Sequence, residues 1–170
     1  MHDRLTALKS DIEAEVSAIA RIYLALPGDD GELSDPREGI VTGYYLHNLY
    51  NAFESIFRLV AEAFENDVPD PTRWHRLLLE RMGREIEGVR PRLLSDGSVQ
   101  ALDELRRFRH LFRHLYQADL KPEGVAVAMT QARRLESTYP SDITLPNRTD
   151  PRSAAVYVRV RHAAPSAGTG

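Results

Sequence analysis

The chain has 170 residues, of which 42% are hydrophobic and 28% charged, and its formal net charge at pH 7 is −3. This balance is typical of one soluble globular domain and argues against a broadly basic surface, so any contact with nucleic acid must be local. The absence of cysteine excludes disulfides, thiolate metal ligands and cysteine nucleophiles. Of the 22 basic residues only Lys9 and Lys121 are lysine, a bias that a GC-rich genome would explain.

No apolar run approaches the ~20 residues needed to cross a bilayer. The first residues lead directly into an amphipathic pattern that contains acidic side chains, which is not the pattern of a signal peptide. We therefore expect a cytoplasmic protein that makes no membrane contact.

Apolar residues at helical spacing predict five helices. The first covers residues 1–26, and the second covers about 36–66, with Asp35 as its N-cap and Pro36 at its first position. The third opens at 71–74, the fourth covers about 98–117 and the fifth about 122–138. The predicted fold is all-α, an antiparallel helical bundle of about five helices with an irregular C-terminal tail.

The apolar periodicity also predicts which side chains face the core. In the second helix they are Leu46, Leu49, Tyr50, Phe53, Ile56, Phe57, Val60, Ala63 and Phe64. In the later helices they are Trp74, Leu77, Leu78, Met82, Ile86, Leu105, Phe108, Leu111, Phe112, Leu115, Val125, Val127, Met129, Ala132 and Leu135.

The composition changes near Pro140, where proline, glycine and serine become frequent. We predict a helical domain over residues 1–139 and a tail over residues 140–170 that is partly disordered or forms a single strand. The strand candidate is segment 156–161, where apolar and basic residues alternate.

Residues 109–116 of the fourth helix, with the sequence RHLFRHLY, combine arginines, histidines and a tyrosine at the spacing R-x4-H-x-Y. At 100° per residue Arg106, Arg109, Arg113 and Tyr116 fall within about 80° of one another, away from the core stripe. Arginine suits phosphate binding and histidine suits proton transfer near neutral pH, so the cluster predicts phosphodiester chemistry. The alternative is a solvated basic helix face.

His110 and His114 also have the i, i+4 spacing of a metal site. The cluster lacks the glutamate of the H-E-x-x-H motif, and its arginines repel cations, so we expect no metal ligand and no cofactor.

Arg109 and His114 are five residues apart, which on an ideal helix is about 140° around and about 7.5 Å along the axis. One straight helix does not aim both side chains at one phosphate. Either the helix is distorted, or two copies of the motif meet across a dimer interface.

The second helix carries an ordered polar stripe formed by His47, Asn51, Glu54 and Arg58, at positions i, i+4, i+7 and i+11. Such spacing places the four side chains on one face. A solvated face explains the stripe as well as a functional surface does.

Segment 109–116 resembles the R-x4-H-x-Y motif of HepT-type toxins, which belong to the HEPN superfamily of small helical ribonucleases. Segments 45–57 (YLHNLYNAFESIF), 73–78 (RWHRLL) and 105–110 (LRRFRH) also resemble the HepT-like domain. The resemblance covers roughly residues 40–138.

The resemblance implies a metal-independent RNA endonuclease toxin that forms a homodimer with two motifs facing each other in a cleft. Arg109 would bind the scissile phosphate, and His114 would act as general acid or base. Tyr116 occupies the position of the tyrosine that a minimal nucleotidyltransferase antitoxin adenylylates in this family, which would fill the cleft with negative charge.

This sequence has His110 where the family usually has asparagine, so His110 would take over a polar role or add a second proton carrier. His110, Arg106 and Arg113 are further candidates for RNA or phosphate binding. The polar stripe suggests Glu54 as a supporting partner of Arg109 or Arg113.

Two other functions remain open at this stage. The first is a non-catalytic HEPN-like helical module that binds a nucleotidyltransferase. The second, a DNA-binding regulator, is disfavoured because no short helix-turn-helix spacing is evident.

Overall fold

A computed structural model of the chain describes residues 2–28, 35–65, 74–115 and 119–143. This part contains five helices: α1 (His2–Ala25), α2 (Pro36–Phe64), α3 (Trp74–Met82), α4 (Asp96–Arg113) and α5 (Pro122–Asp142). The β-type pairing within it is one isolated bridge between Ile86 and Arg90. The predicted all-α helical bundle is confirmed. Tyr116 and the strand candidate at 156–161 lie outside the described residues.

The central element of the bundle is α2, which packs against α1, α3, α4 and α5. Its start follows the prediction, because the Asp35 side chain accepts a hydrogen bond from the Arg37 backbone N–H at 2.9 Å and Pro36 occupies the first turn. Seven of the nine predicted core residues of α2 are buried, whereas Ala63 and Phe64, near its end, are half-buried. Among the described helices, none combines the length and apolar character that spanning a membrane requires.

The end of α4 differs from the prediction, since the helix stops at Arg113 rather than near residue 117. His114 caps it with φ −110° and ψ 18°, and its backbone N–H donates to the carbonyls of Leu111 and Phe112. The chain must reverse here to begin α5 at Pro122, and Lys121 is extended, as a residue before proline prefers. The angle of about 140° between Arg109 and His114, which assumes a continuous ideal helix, therefore does not describe the position of His114.

The end of α5 also differs, because the helix runs to Asp142 and includes Pro140 in its last turns. A proline inside a helix removes one backbone donor and crowds the carbonyl four residues earlier, here that of Glu136. The Ser95 hydroxyl donates to the Asp142 carboxylate at 3.0 Å, and the Ile143 N–H donates to the Tyr139 carbonyl at 2.8 Å. The first contact holds the final turn against the start of α4, and the second caps α5.

Three residues predicted to face the core are instead exposed: Leu77 (43%), Leu111 (42%) and Val127 (54%). The nine-residue helix α3 buries Leu79 in place of Leu77, and Ile86 lies beyond its end and is half-buried. A periodic pattern gives the width of an apolar stripe, but the neighbouring helices decide where its centre lies.

A buried arginine orders the segment between α3 and α4. The Arg90 Nε donates to Glu65, at the end of α2, at 2.7 Å. Its Nη groups donate to the carbonyls of Arg84, Pro91 and Arg81 at 3.1, 3.2 and 2.8 Å. Both side chains of the ion pair are almost fully buried, and the hydrogen bonds offset the cost of desolvating them.

The end of α4 approaches α2 closely at Gly43. A Cβ atom at this position would lie 2.5 and 2.9 Å from two ring carbons of Phe112 and 3.4 Å from a methyl carbon of Leu120. The missing side chain therefore lets Phe112 pack against α2, one turn from His47.

We expect Gly43→Ala to destabilise the protein by about 1–3 kcal/mol, because the new methyl group displaces the Phe112 ring. The matched control is Gly39→Ala in the same helix, where nothing lies within 4 Å. That control should gain up to about 1 kcal/mol from helix propensity. Urea unfolding followed by the fluorescence of the single tryptophan, Trp74, measures both changes. Equal effects of the two substitutions would contradict the steric account.

Candidate functional site

The α2 stripe, formed by His47, Asn51, Glu54 and Arg58, meets residues of both α3 and α4. Its first half lies beside the arginines of α4, and its second half lies beside the start of α3. The stripe is therefore an inter-helix surface rather than a solvated face, and this surface is the candidate functional site.

Arg109 is anchored to α2 by three contacts. Its Nε donates to the Asn51 side-chain oxygen at 2.6 Å, and its Nη2 lies 3.9 Å from the Glu54 carboxylate. The guanidinium carbon lies 5.7 Å from the centre of the Tyr50 ring. Only 14% of the Arg109 side chain is exposed. Burial, reinforced by Glu54, raises the pKa of the Tyr50 hydroxyl, so that ring stays neutral.

Glu54 is a buried carboxylate with partners on two other helices. Its second oxygen lies 2.5 Å from Nδ1 of His75, the second residue of α3. The next residue of the stripe, Arg58, lies over the Trp74 ring at 6.0 Å from its centre. Glu54 thus links the start of α3 to Arg109.

His114 and His110 lie together at the exposed end of α4. Their ring centres are 4.6 Å apart, and Nδ1 of His114 lies 2.7 Å from the backbone carbonyl of His110. A carbonyl oxygen only accepts hydrogen bonds, so Nδ1 of His114 carries a hydrogen and Nε2 is the atom that can gain or lose a proton.

The two remaining arginines of the motif face have different environments. Arg106 is paired with Asp103 of the same helix, with Nε and Nη2 each 2.8 Å from one carboxylate oxygen. Arg113 is exposed and makes no ion pair with any residue in the described ranges. Of the predicted phosphate-binding arginines, Arg113 is the one most open to a ligand.

His47 lies near Arg109, Arg113 and Phe112, with its ring centre 5.7 Å from that of Phe112. Burial lowers the pKa of His47, and the positive charges of Arg109 and Arg113 lower it further. The imidazole is therefore neutral at pH 7, although it lies near two arginines.

Four residues of this site were not among the predicted site residues: His47, Asn51, Arg58 and His75. The periodicity of the polar stripe was the available signal for His47, Asn51 and Arg58. His75 belongs to a different helix, and only the packing of α3 against α2 brings it to Glu54. Within the described part of the chain, no group of three or more His, Asp or Glu side chains is arranged to hold a metal ion.

Comparison with known protein families gives one finding. A family model described as HepT-like protein matches residues 41–147, which is more than half of the chain and covers most of α2 and all of α3, α4 and α5. Comparisons with curated proteins and with solved structures gave no significant match.

The lowered pKa of His47 predicts a pH dependence of stability. The unfolded chain binds a proton at His47 near its ordinary pKa of 6.5, whereas the folded protein resists it. The stabilisation from this group is therefore fully present above about pH 6.5 and is lost as the pH falls below that value.

We expect His47→Gln to reduce the loss of unfolding free energy between about pH 7.5 and about pH 5.5, measured by urea titration. His110→Gln, which removes an exposed imidazole of α4, is the matched control. An unchanged slope in the His47 variant would contradict the assignment.

Proposed function

Because the chain belongs to the HepT-like family, we propose that it is a metal-independent RNA endonuclease of a toxin–antitoxin pair. The observation that carries the proposal is the arrangement at the end of α4. There a histidine with a fixed Nδ1–H lies in the same turns as one anchored and one exposed arginine.

The proposed reaction is attack of a ribose 2′-oxygen on the adjacent phosphorus. The P–O bond to the 5′-oxygen of the next nucleotide breaks, the 2′-hydroxyl loses a proton and the 5′-oxygen gains one. Nε2 of His114 transfers one of these protons, as general acid or base. The negative charge that develops on the phosphate is stabilised by the arginines.

The geometry of Arg109 is compatible with phosphate binding. Asn51 accepts from Nε, whereas the 3.9 Å separation between Nη2 and Glu54 is longer than a hydrogen bond. The Nη groups are therefore not consumed by these contacts. Through this hydrogen bond Asn51, a residue of α2, sets the orientation of Arg109.

We propose that the active form is a homodimer in which two motifs share a cleft. Exposed apolar side chains support this, because Ile40 and Tyr44 precede His47 on the same face of α2 and are both more than half exposed. Leu111, on the last turns of α4, is exposed as well. A partner surface that covered these side chains would bring a second motif to the α2 stripe.

We expect Arg109→Ala and His114→Ala each to reduce RNA cleavage by about 100-fold or more, because they remove charge stabilisation and proton transfer. Arg107→Ala is the matched control, since Arg107 is an exposed arginine of the same helix that pairs with Asp103 and Glu104. Cleavage of RNA oligonucleotides in the presence of EDTA measures the effect. Full activity of either motif variant would refute the catalytic assignment.

We further propose that a minimal nucleotidyltransferase antitoxin inactivates the protein by adenylylating Tyr116. The added phosphates would place negative charge beside arginines that otherwise bind RNA. Tyr116 lies outside the described residues, so this proposal rests on the sequence motif and the family.

Co-expression with such a nucleotidyltransferase should add nucleoside monophosphate units to the intact mass of the protein. Tyr116→Phe should abolish the addition, whereas Tyr44→Phe, which alters an exposed tyrosine of α2, should retain it. Addition to the Tyr116 variant would show that another residue is modified.

A second candidate function is a non-catalytic module that binds a nucleotidyltransferase. The low exposure of Arg109 favours it, because a guanidinium held by Asn51, Glu54 and Tyr50 also serves as a structural link between α2 and α4. This candidate predicts no cleavage by the unmodified protein, together with a large loss of stability in Arg109→Ala. The enzyme predicts cleavage that is lost in His114→Ala without unfolding.

A further inference from the structure

The α2 stripe contains a histidine that the proposed reaction does not use. Nδ1 of His47 is shielded from solvent and has no hydrogen-bond partner among the described residues. The ring as a whole is half-buried, so its open part lies away from Nδ1. His47 lies one helical turn before Asn51, the residue that holds Arg109.

The shielded nitrogen decides which form of the imidazole is stable. An imidazolium carries hydrogen on both nitrogens, and the Nδ1–H tautomer carries it on the shielded one. Either form would bury an N–H group without an acceptor, which is costlier than burying an unused lone pair. His47 therefore has its hydrogen on Nε2 and a lone pair on Nδ1.

The surrounding charges act in the same direction. Burial and the neighbouring guanidinium groups of Arg109 and Arg113 lower the pKa of His47, and Phe112 contributes only an apolar ring. The ring cannot easily take up a proton, but its Nε2–H remains a hydrogen-bond donor. A group that accepts hydrogen bonds and carries negative charge beside two arginines is an oxyanion such as a phosphodiester.

We propose that His47 is a phosphate-binding residue of this site, whose neutral imidazole donates from Nε2–H to a non-bridging oxygen of the RNA backbone and transfers no proton. The inference rests on the proposed function for its substrate class. It gives the two histidines opposite tautomers and separate roles. His114 has a hydrogen fixed on Nδ1 and works through Nε2 as a proton carrier, whereas His47 works through Nε2–H as a donor.

The tautomers can be measured on the unmodified protein without any activity assay. Long-range nitrogen–proton correlation spectra of 15N-labelled protein at neutral pH distinguish the two neutral forms of each imidazole. We expect the Nε2–H form for His47 and the Nδ1–H form for His114. An Nδ1–H tautomer or a protonated ring at His47 would overturn the proposal.

Binding is tested with a short single-stranded RNA added to the His114→Ala protein, and with inorganic phosphate in a parallel titration. The Nε2–H proton of His47 should shift on addition of RNA, and a smaller shift with phosphate would identify the backbone as the recognised group. The absence of any shift with RNA would overturn the proposal, even for a protein that cleaves RNA by other means.

Kinetics separate binding from proton transfer. His47→Phe should raise the KM for RNA roughly 10-fold or more, because a hydrogen bond to a charged group is lost. Because this bond binds the substrate and transfers no proton, kcat should stay nearly unchanged. His47→Gln, whose amide N–H can replace Nε2–H, should recover most of this affinity with the pH profile of kcat unaltered. A loss of kcat in His47→Gln as large as that in His114→Ala would show that His47 moves a proton and would overturn the proposal.

These outcomes distinguish the inference from the proposed function. If RNA shifts the His47 signal but the protein cleaves no RNA, the proposed endonuclease activity is refuted and the phosphate-binding role of His47 stands. If the unmodified protein cleaves RNA and His47→Phe leaves the KM unchanged, the phosphate-binding role of His47 is refuted and the endonuclease activity stands.

Discussion

The arrangement of α2, α3 and α4 depends on one buried carboxylate. Glu54 lies on a core helix with only 7% of its surface exposed, and an unpaired charge in that position would be strongly destabilising. Its two oxygens face His75 of α3 and Arg109 of α4. Glu54 therefore contacts both of the other helices that form the candidate site, while the hydrogen bond from Arg109 to Asn51 sets the orientation of the guanidinium.

The basic face of α4 divides into an anchored and an open part. Arg109 is held by α2 and Arg106 by Asp103, whereas Arg113 and the two histidines lie at the exposed end of the helix. Because α4 ends at Arg113, the backbone of His114 is not helical, and its ring is held by the hydrogen bond to the His110 carbonyl. A ligand approaching from solvent would meet Arg113 and His114 before it reached Arg109.

The sequence was sufficient for the features that depend on local periodicity and capping. The core stripe of α2 and its Asp35–Pro36 start follow from residue spacing and were predicted correctly. The exposure of Leu77 and Leu111, the end of α4 and the continuation of α5 through Pro140 depend on how helices meet, which no single-helix pattern contains. The same limit applied to the site: the stripe revealed that His47 and Asn51 share a face, but only packing shows that this face meets Arg109 and, through Glu54, His75.

The buried Arg90 gives the unusual arginine content of this chain a local meaning. Its guanidinium donates to one carboxylate and three backbone carbonyls in different directions, so a segment without regular secondary structure is held by a single planar group. A lysine has one nitrogen at the end of a flexible stem and could not reach these four acceptors at once. A GC-rich genome would explain why arginine outnumbers lysine in this chain, but at position 90 the fold itself requires arginine. What it requires there is the arrangement of the guanidinium donors, and positive charge alone would not be enough.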